Sequence, residues 1–114
     1  MLKRQLGACV TFFPQPTTLI ATQNGEGEVN LMMASWVGIV SKTPPTIAVS
    51  LNRDRHTYAN IKANGTFSVN VVPAKMAQAA DACGLASGKK VDKQKLTGLE
   101  VSPGTLQGVS LVDE

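Results

Sequence analysis

The strongest constraint in this sequence is the run Thr17-Thr18-Leu19-Ile20-Ala21-Thr22, which breaks into Asn24-Gly25-Glu26-Gly27 and resumes at Glu28. β-Branched side chains are stiff at χ1 and fit a pleated surface, so the run predicts a strand. Asn-Gly supplies the positive φ angles of a tight hairpin. Thr17–Thr22 and Glu28–Met33 are therefore expected to pair antiparallel, and the rest of the fold has to be built around that hairpin.

Further strand signals follow. Ser35 to Val40 is apolar and uninterrupted by charge, so it is expected to be buried on both faces. Thr43-Pro44-Pro45 forces an extended turn. Thr46 to Leu51 alternates, with Ile47, Val49 and Leu51 on one face and Ala48 and Ser50 on the other. The period then changes. Asp54 is placed to cap a helix over about Arg55–Ala63 with Tyr58, Ile61 and Ala59 toward the core, and Asn64-Gly65 to close it with a left-handed C-cap. Thr66 to Val72 alternates again, Phe67, Val69 and Val71 against Ser68 and Asn70, and Pro73 stops it. Ala74 to Ala82 is alanine-rich and helical, ending near Cys83-Gly84. Ser87 to Lys95 is a polar, basic loop with one helical turn. Leu99–Val101 and Val109–Leu111 are short strands separated by Pro103-Gly104 and Gly108.

This pattern is mainly β, five or six strands with two inserted helices. It is expected to close as an antiparallel barrel or sandwich within one domain, as 114 residues suggest. After the last strand candidate only Val112-Asp113-Glu114 remain, so a barrel built from this chain is expected to keep an open edge.

Charge limits the partners. The net charge is +3, and the basic residues are scattered among Lys3-Arg4, Arg53, Arg55, Lys89-Lys90, Lys93 and Lys95. A small scattered surplus suits a small anion better than a duplex, which needs a denser basic face. Aromatics are few (Phe12, Phe13, Trp36, Tyr58, Phe67), too sparse for a stacking platform for single strands. No nucleic-acid partner is expected. Charged residues make up 17% of the chain, against about 25% in an average domain, which hints at an oligomer interface or a cofactor face. Cys9 and Cys83 are far apart with no CxxC, and His56 has no His or Cys at ligand spacing, so no metal is expected. No apolar run approaches the roughly 18 residues of a membrane span. The N-terminus faintly imitates a signal peptide, but Pro14 and Pro16 interrupt it and no small-residue cleavage site follows. A cytoplasmic protein is the expectation.

Three segments can carry chemistry. In Asn30-Leu31-Met32-Met33-Ala34-Ser35-Trp36, small residues between bulky ones let backbone approach a flat heteroaromatic edge. A tight strand-to-strand transition explains the same residues. Ser50-Leu51-Asn52-Arg53-Asp54-Arg55-His56-Thr57 joins two guanidiniums and two hydroxyls to a helix N-terminus, a combination suited to phosphate. A solvated loop capped by Asp54 is the alternative. Ser87-Gly88-Lys89-Lys90-Val91-Asp92-Lys93 could close over a phosphate, or be plain surface. There is no G-x-G-x-x-G, P-loop, G-x-S-x-G or H-E-x-x-H, no triad and no evident carboxylate pair. No catalytic side chain is expected, and an enzyme built on this chain must borrow its chemistry from a bound cofactor.

These motifs, taken in order, resemble the flavin reductase-like family with its FMN-binding split barrel. The resemblance runs through Pro16–Thr22, Asn30–Trp36, Val40-Ser41-Lys42-Thr43-Pro44-Pro45, Val49-Ser50-Leu51, Arg55-His56-Thr57-Tyr58, Ile61 and Gly65–Asn70, and covers about residues 6 to 114. Asp81-Ala82-Cys83-Gly84, Ser87-Gly88 and Asp92-Lys93 are similar to the flavoredoxin branch. The resemblance implies an antiparallel split barrel with FMN as cofactor. Asn30, Met33, Ala34, Ser35 and Trp36 would lie along the isoalloxazine and ribityl chain. Ser50, Leu51, Arg53, Arg55, His56 and Thr57 would hold ribityl and phosphate, with Ser87, Lys89 and Lys93 as further contacts. It also implies a homodimer with FMN near the interface, and NAD(P)H as electron donor to a flavin that passes electrons on. Electron transfer to an acceptor protein without direct NAD(P)H use is a second expectation, and a non-enzymatic small barrel that binds another ligand or chain is a third. Family members continue past the point where this chain stops, so residues 1–114 are expected to be one domain lacking its last strands.

Overall fold

The computed structural model describes residues 1–113. Its centre is the predicted hairpin. Strand β1 (Thr18–Gln23) pairs antiparallel with β2 (Val29–Ala34) on one side, Ile20 facing Met32, and with β5 (Ser68–Val71) on the other, Ile20 facing Val69. The turn differs from the Asn-Gly expectation. Among its residues only Gly27 has positive φ (81°). The Asn24 carboxamide instead organises the loop, its Oδ1 accepting from the backbone N–H of Glu26 and of Glu28. An Asx side chain has replaced the two-residue turn geometry.

β1 is buried on both faces, and each face has its own core. Leu19 and Ala21 pack with Leu31, Ala80 and Cys83, while Ile20 packs with Met32 and Ala34. Leu19, Ile20 and Leu31 are fully buried, each contributing about 1.5–3 kcal/mol by removal from water. The first face is covered by a 3-10 turn (Ala74–Met76) and helix α2 (Ala77–Leu85). Helix α3 (Lys93–Thr97) follows α2, and the ribbon of β6 (Val101–Pro103) and β7 (Ser110–Val112) adds Val101 and Val112 to the same core. The second face is covered by helix α1 (His56–Asn64) and by the ribbon of β3 (Val37–Ser41) and β4 (Thr46–Val49).

Several expectations are corrected. β3 is exposed rather than buried on both faces: Ile39 is 82% and Val40 63% accessible, and Ile47 of β4 is 47% accessible. It pairs only with β4, and no other strand among the described residues joins its outer edge. Val71 is exposed too, while Ser68, expected on the outer face, is buried and donates to the Ser110 carbonyl of β7. In α1 the residues turned inward are Thr57 and Asn60, not Tyr58, Ile61 and Ala59. The patch α1 covers is polar: Asn60 donates to Thr22 Oγ1 at 3.1 Å, and Asn30 donates to Thr57 Oγ1 at 2.9 Å. Arg55, not Asp54, occupies the N-cap position, with no side-chain cap bond. Gly65 closes α1 at φ 71° as expected, its N–H reaching the Ile61 carbonyl.

The radius of gyration is 15.5 Å, against about 13 Å for a compact domain of this length. Residues 1–17 carry no regular structure and leave Phe12 and Phe13 exposed. With the β3–β4 ribbon, they present apolar surface beyond the two cores.

Candidate functional site

The site lies where β2 ends, the β3–β4 ribbon departs and α1 begins. Three local features hold it. Thr18 Oγ1 donates to the Ala34 carbonyl at 2.6 Å, fixing the end of β2. The Ser50 N–H donates to the Trp36 carbonyl at 2.9 Å, tying the two ends of the ribbon together. The two buried carboxamide–hydroxyl bonds fix the first turns of α1 to the hairpin.

Between these elements runs a groove of about 320 Å³, lined by Met32, Met33, Ala34, Ser35, Trp36, Ser50, Leu51, Asn52 and Arg55. Its lining sets small residues (Ala34, Ser35, Ser50) among bulky apolar ones (Met32, Met33, Trp36, Leu51), with Asn52 and Arg55 at its polar side, a combination suited to a planar ring with a polar edge. Met32, Asn52 and Arg55 also line a second cavity of about 210 Å³, which adds Asn30, Asp54, His56, Thr57, Ala86, Ser87, Gly88 and Lys93. The two segments expected to hold ring and phosphate are thus brought together. Lys89 lies further out, its Nζ donating to the Asp54 carbonyl at 2.8 Å. Arg53 is exposed and lines neither cavity, because the turn before α1 points it to solvent.

The second cavity is electrostatically unbalanced. Lys93 is only 5% accessible as a residue; among the described residues no salt bridge or hydrogen bond engages its ammonium, which is not sealed off but borders the cavity. Burial pushes its pKa down; the neighbouring Cys83 opposes the shift, and Arg55 adds to it. Burial likewise pushes the Cys83 thiol up, against the pull of Lys93 and a hydrogen bond from Thr97. Two cations, Arg55 and Lys93, line the cavity beside the N-terminus of a nine-residue helix against one carboxylate, Asp54, with which neither is ion-paired among the described residues; the surplus of positive charge suits an anion. Arg55 supplies a planar fork and Lys93 three donors.

Gly88 is a site residue the sequence reading left unassigned. A Cβ there would lie 2.0 Å from Asn30 Oδ1 and 3.0 Å from His56 Cδ2. Only glycine lets this loop close over Asn30, and the Ser87-Gly88 pair was the available signal. Met32 and Asn52 were also missed; each lies within a segment already singled out, so the cavities add them by adjacency.

The flavin reductase-like domain family matches residues 10–114. This chain belongs to that family. A flavoredoxin of Desulfovibrio vulgaris (Miyazaki F) is 34% identical, with a TM-score of 0.94 over 99% of this chain and 62% of its own. A flavoredoxin from Methanosarcina acetivorans is 37% identical, with a TM-score of 0.85 over 98% of this chain and 60% of its own. The protein YwrF of Bacillus subtilis is 29% identical over 105 residues, 89% of this chain and 50% of YwrF. The chain thus spans about 60% of these flavoredoxins and half of YwrF. Its antiparallel sheets and inserted helices match this part of the split barrel, with no closed barrel among the described residues. Among those residues no helix is long and apolar enough to cross a membrane.

Proposed function

We propose that this chain holds FMN and serves an oxidoreductase of the flavin reductase type, with NADH or NADPH as electron donor. The observation that carries the reading is the Lys93 ammonium, without a partner among the described residues, lining with Arg55 and Thr57 a cavity that adjoins a groove with room for a flat ring. The flavin, when bound, supplies a ring that takes a hydride and passes electrons on. The chain's own residues position and neutralise. Arg55, Thr57, Ser87 and Lys93 receive the phosphate, and Asn30 and His56 form the wall behind it. Met33, Ala34, Ser35 and Trp36 lie along the ring and ribityl chain with Ser50 and Leu51, while Lys89 and Arg53 add positive field from outside. No side chain here is asked to act as acid or base. An apolar hollow of about 490 Å³ between Val10, Phe12 and the β3–β4 ribbon shares Trp36 and Ser50 with the groove. It offers a donor or acceptor a neutral approach to the ring end.

The similarity to two flavoredoxins favours a second reading, in which electrons pass to an acceptor protein without direct use of NAD(P)H. The exposed Ile39, Val40 and Ile47 support a homodimer. We regard residues 1–114 as one flavin domain that is part of a longer one. Anaerobic addition of NADH or NADPH to the FMN-loaded protein tests the donor. Rapid bleaching of the flavin band supports the reductase. Bound flavin that stays oxidised until a reduced carrier protein is added supports the second reading, and a protein that takes up no flavin refutes both.

A further inference from the structure

The face of α1 that meets the hairpin holds two matched pairs. Asn60 donates to Thr22 Oγ1 at 3.1 Å, and Asn30 of β2 donates to Thr57 Oγ1 at 2.9 Å. All four residues are more than nine-tenths buried. The second pair lines the cavity that also holds Arg55 and Lys93, and the first pair does not.

A threonine hydroxyl has one proton to give and two lone pairs. Elsewhere in this chain the proton goes to a carbonyl: Thr18 gives it to Ala34, and Thr97 gives it to Lys93, one turn back in α3. Thr57 is the second residue of α1, so the carbonyl four positions back lies outside the helix. Among the described residues no acceptor takes its proton. The Asn30 N–H already occupies one side of Oγ1, and two donors do not face each other. The proton is left to the cavity.

Gly88 sets the sense of that bond. A carboxamide turned end for end would accept from Thr57 and draw the proton away from the cavity. Here the Oδ1 end of Asn30 lies against Gly88, so close that a Cβ there would stand 2.0 Å from it. A carbonyl oxygen sits well against the hydrogens of a Cα, whereas an NH2 in the same place would press its donors against them.

Resting on the flavin reading above, we propose that Asn30 is a positioning residue: it holds the Thr57 hydroxyl as a donor to the flavin phosphate, and Gly88 holds Asn30 to that orientation. Asn30 does this through Thr57 and without touching the phosphate itself.

Calorimetric titration with FMN and with riboflavin tests this through the ratio of the two affinities, in which contacts to the ring and ribityl chain cancel. Asn30→Asp keeps the shape of the side chain but can only accept. It takes the Thr57 proton for itself and is expected to lower the ratio by about thirtyfold or more. Its new charge also repels the phosphate directly, so the same change is made in a Thr57→Val protein. There the loss is expected to be smaller by about threefold or more, because the hydroxyl it acts through is gone. Asn30→Ala is expected to lower the ratio by about three- to tenfold in the native background and by less than about twofold in Thr57→Val. Asn60→Ala, which breaks the matched pair away from the cavity, is expected to lower Tm and leave the ratio within about twofold. Losses from Asn30→Asp and Asn30→Ala that are the same with and without the Thr57 hydroxyl overturn the inference and leave the flavin reading intact. So does an Asn60→Ala protein whose ratio falls as far as that of Asn30→Ala. If the native protein binds neither flavin, the flavin reading falls and this inference with it.

Discussion

Replacing Lys93 by methionine should move stability and cofactor affinity in opposite directions. Methionine keeps most of the stem that packs beside Cys83 and removes only the charge. In the free protein the residue is 5% accessible, and its charge lies near Arg55 with no ion-pair partner among the described residues. Its removal lifts a desolvation penalty, so Lys93→Met should stabilise the flavin-free protein by about 1 kcal/mol or more, equivalent to about 4 °C in Tm at this size. The same change deletes a charge-assisted contact to the phosphate. That should weaken FMN by about 1.5–3 kcal/mol, roughly 10–150-fold, and leave riboflavin, which has no phosphate, unchanged. The pH dependence follows from the downward shift of the Lys93 pKa. Between its folded value and the ordinary lysine range the unfolded chain holds the proton and the folded one does not, so stability rises with pH through that window. The advantage of Lys93→Met should therefore shrink as pH rises through it. FMN affinity of the native protein should fall over the same range, because the phosphate needs the ammonium. Thermal scans and calorimetry on both proteins, with FMN and riboflavin, measure all of this. A variant that is less stable when flavin-free, or that loses FMN and riboflavin equally, would refute the reasoning.

Arg55→Ala should weaken FMN by about 1.5–3 kcal/mol without changing riboflavin affinity, read by the same titrations. Thr57→Ala should cost about 1–3 kcal/mol of stability in addition to affinity, since it strands the buried Asn30 amide, whereas Thr57→Ser keeps the acceptor and should melt near the native temperature. Gly88→Ala should cost about 1–3 kcal/mol of stability, read as a lowered Tm, and weaken FMN, because its Cβ would fall 2.0 Å from Asn30 Oδ1. Cys9 is exposed, and its hydrogen bonds with Thr11 lower its pKa, so iodoacetamide should modify it below the ordinary thiol range. Cys83, buried and shifted up, should react only on unfolding; peptide mass spectrometry distinguishes the two.

Where a residue's partner lay close in the chain or repeated with a clear period, its place was legible in the sequence. The pairing of β1 with β2, the α1 stop at Gly65 and, to within a residue, β7 lie where the sequence puts them, while β6 is shifted from Leu99–Val101 to Val101–Pro103, with the expected separator Pro103 inside it. α1 was misread on its inward face because periodicity sorts residues by polarity. Thr57 and Asn60 turn inward only because Asn30 and Thr22, distant in sequence, present polar groups to them. β3 was misread because an apolar run reports that a surface is to be covered, not that this part of the chain covers it. In the site, the residue types around Arg55 and Thr57 pointed to phosphate before any geometry. Lys93 did not stand out: a lysine in a basic loop looks solvated until α3 and α2 enclose it. Gly88 was hidden for a similar reason, since the demand for a missing Cβ comes from Asn30, 58 positions away in the numbering.

The central claim is that the cavity at Arg55, Thr57 and Lys93 exists to hold the phosphate of a flavin. Titrating the native protein with FMN and with riboflavin, at low and at high salt, tests it most directly. The account predicts FMN tighter than riboflavin by about tenfold or more, the gap narrowing as salt screens the phosphate. Equal affinity for the two flavins at both salt concentrations would contradict it.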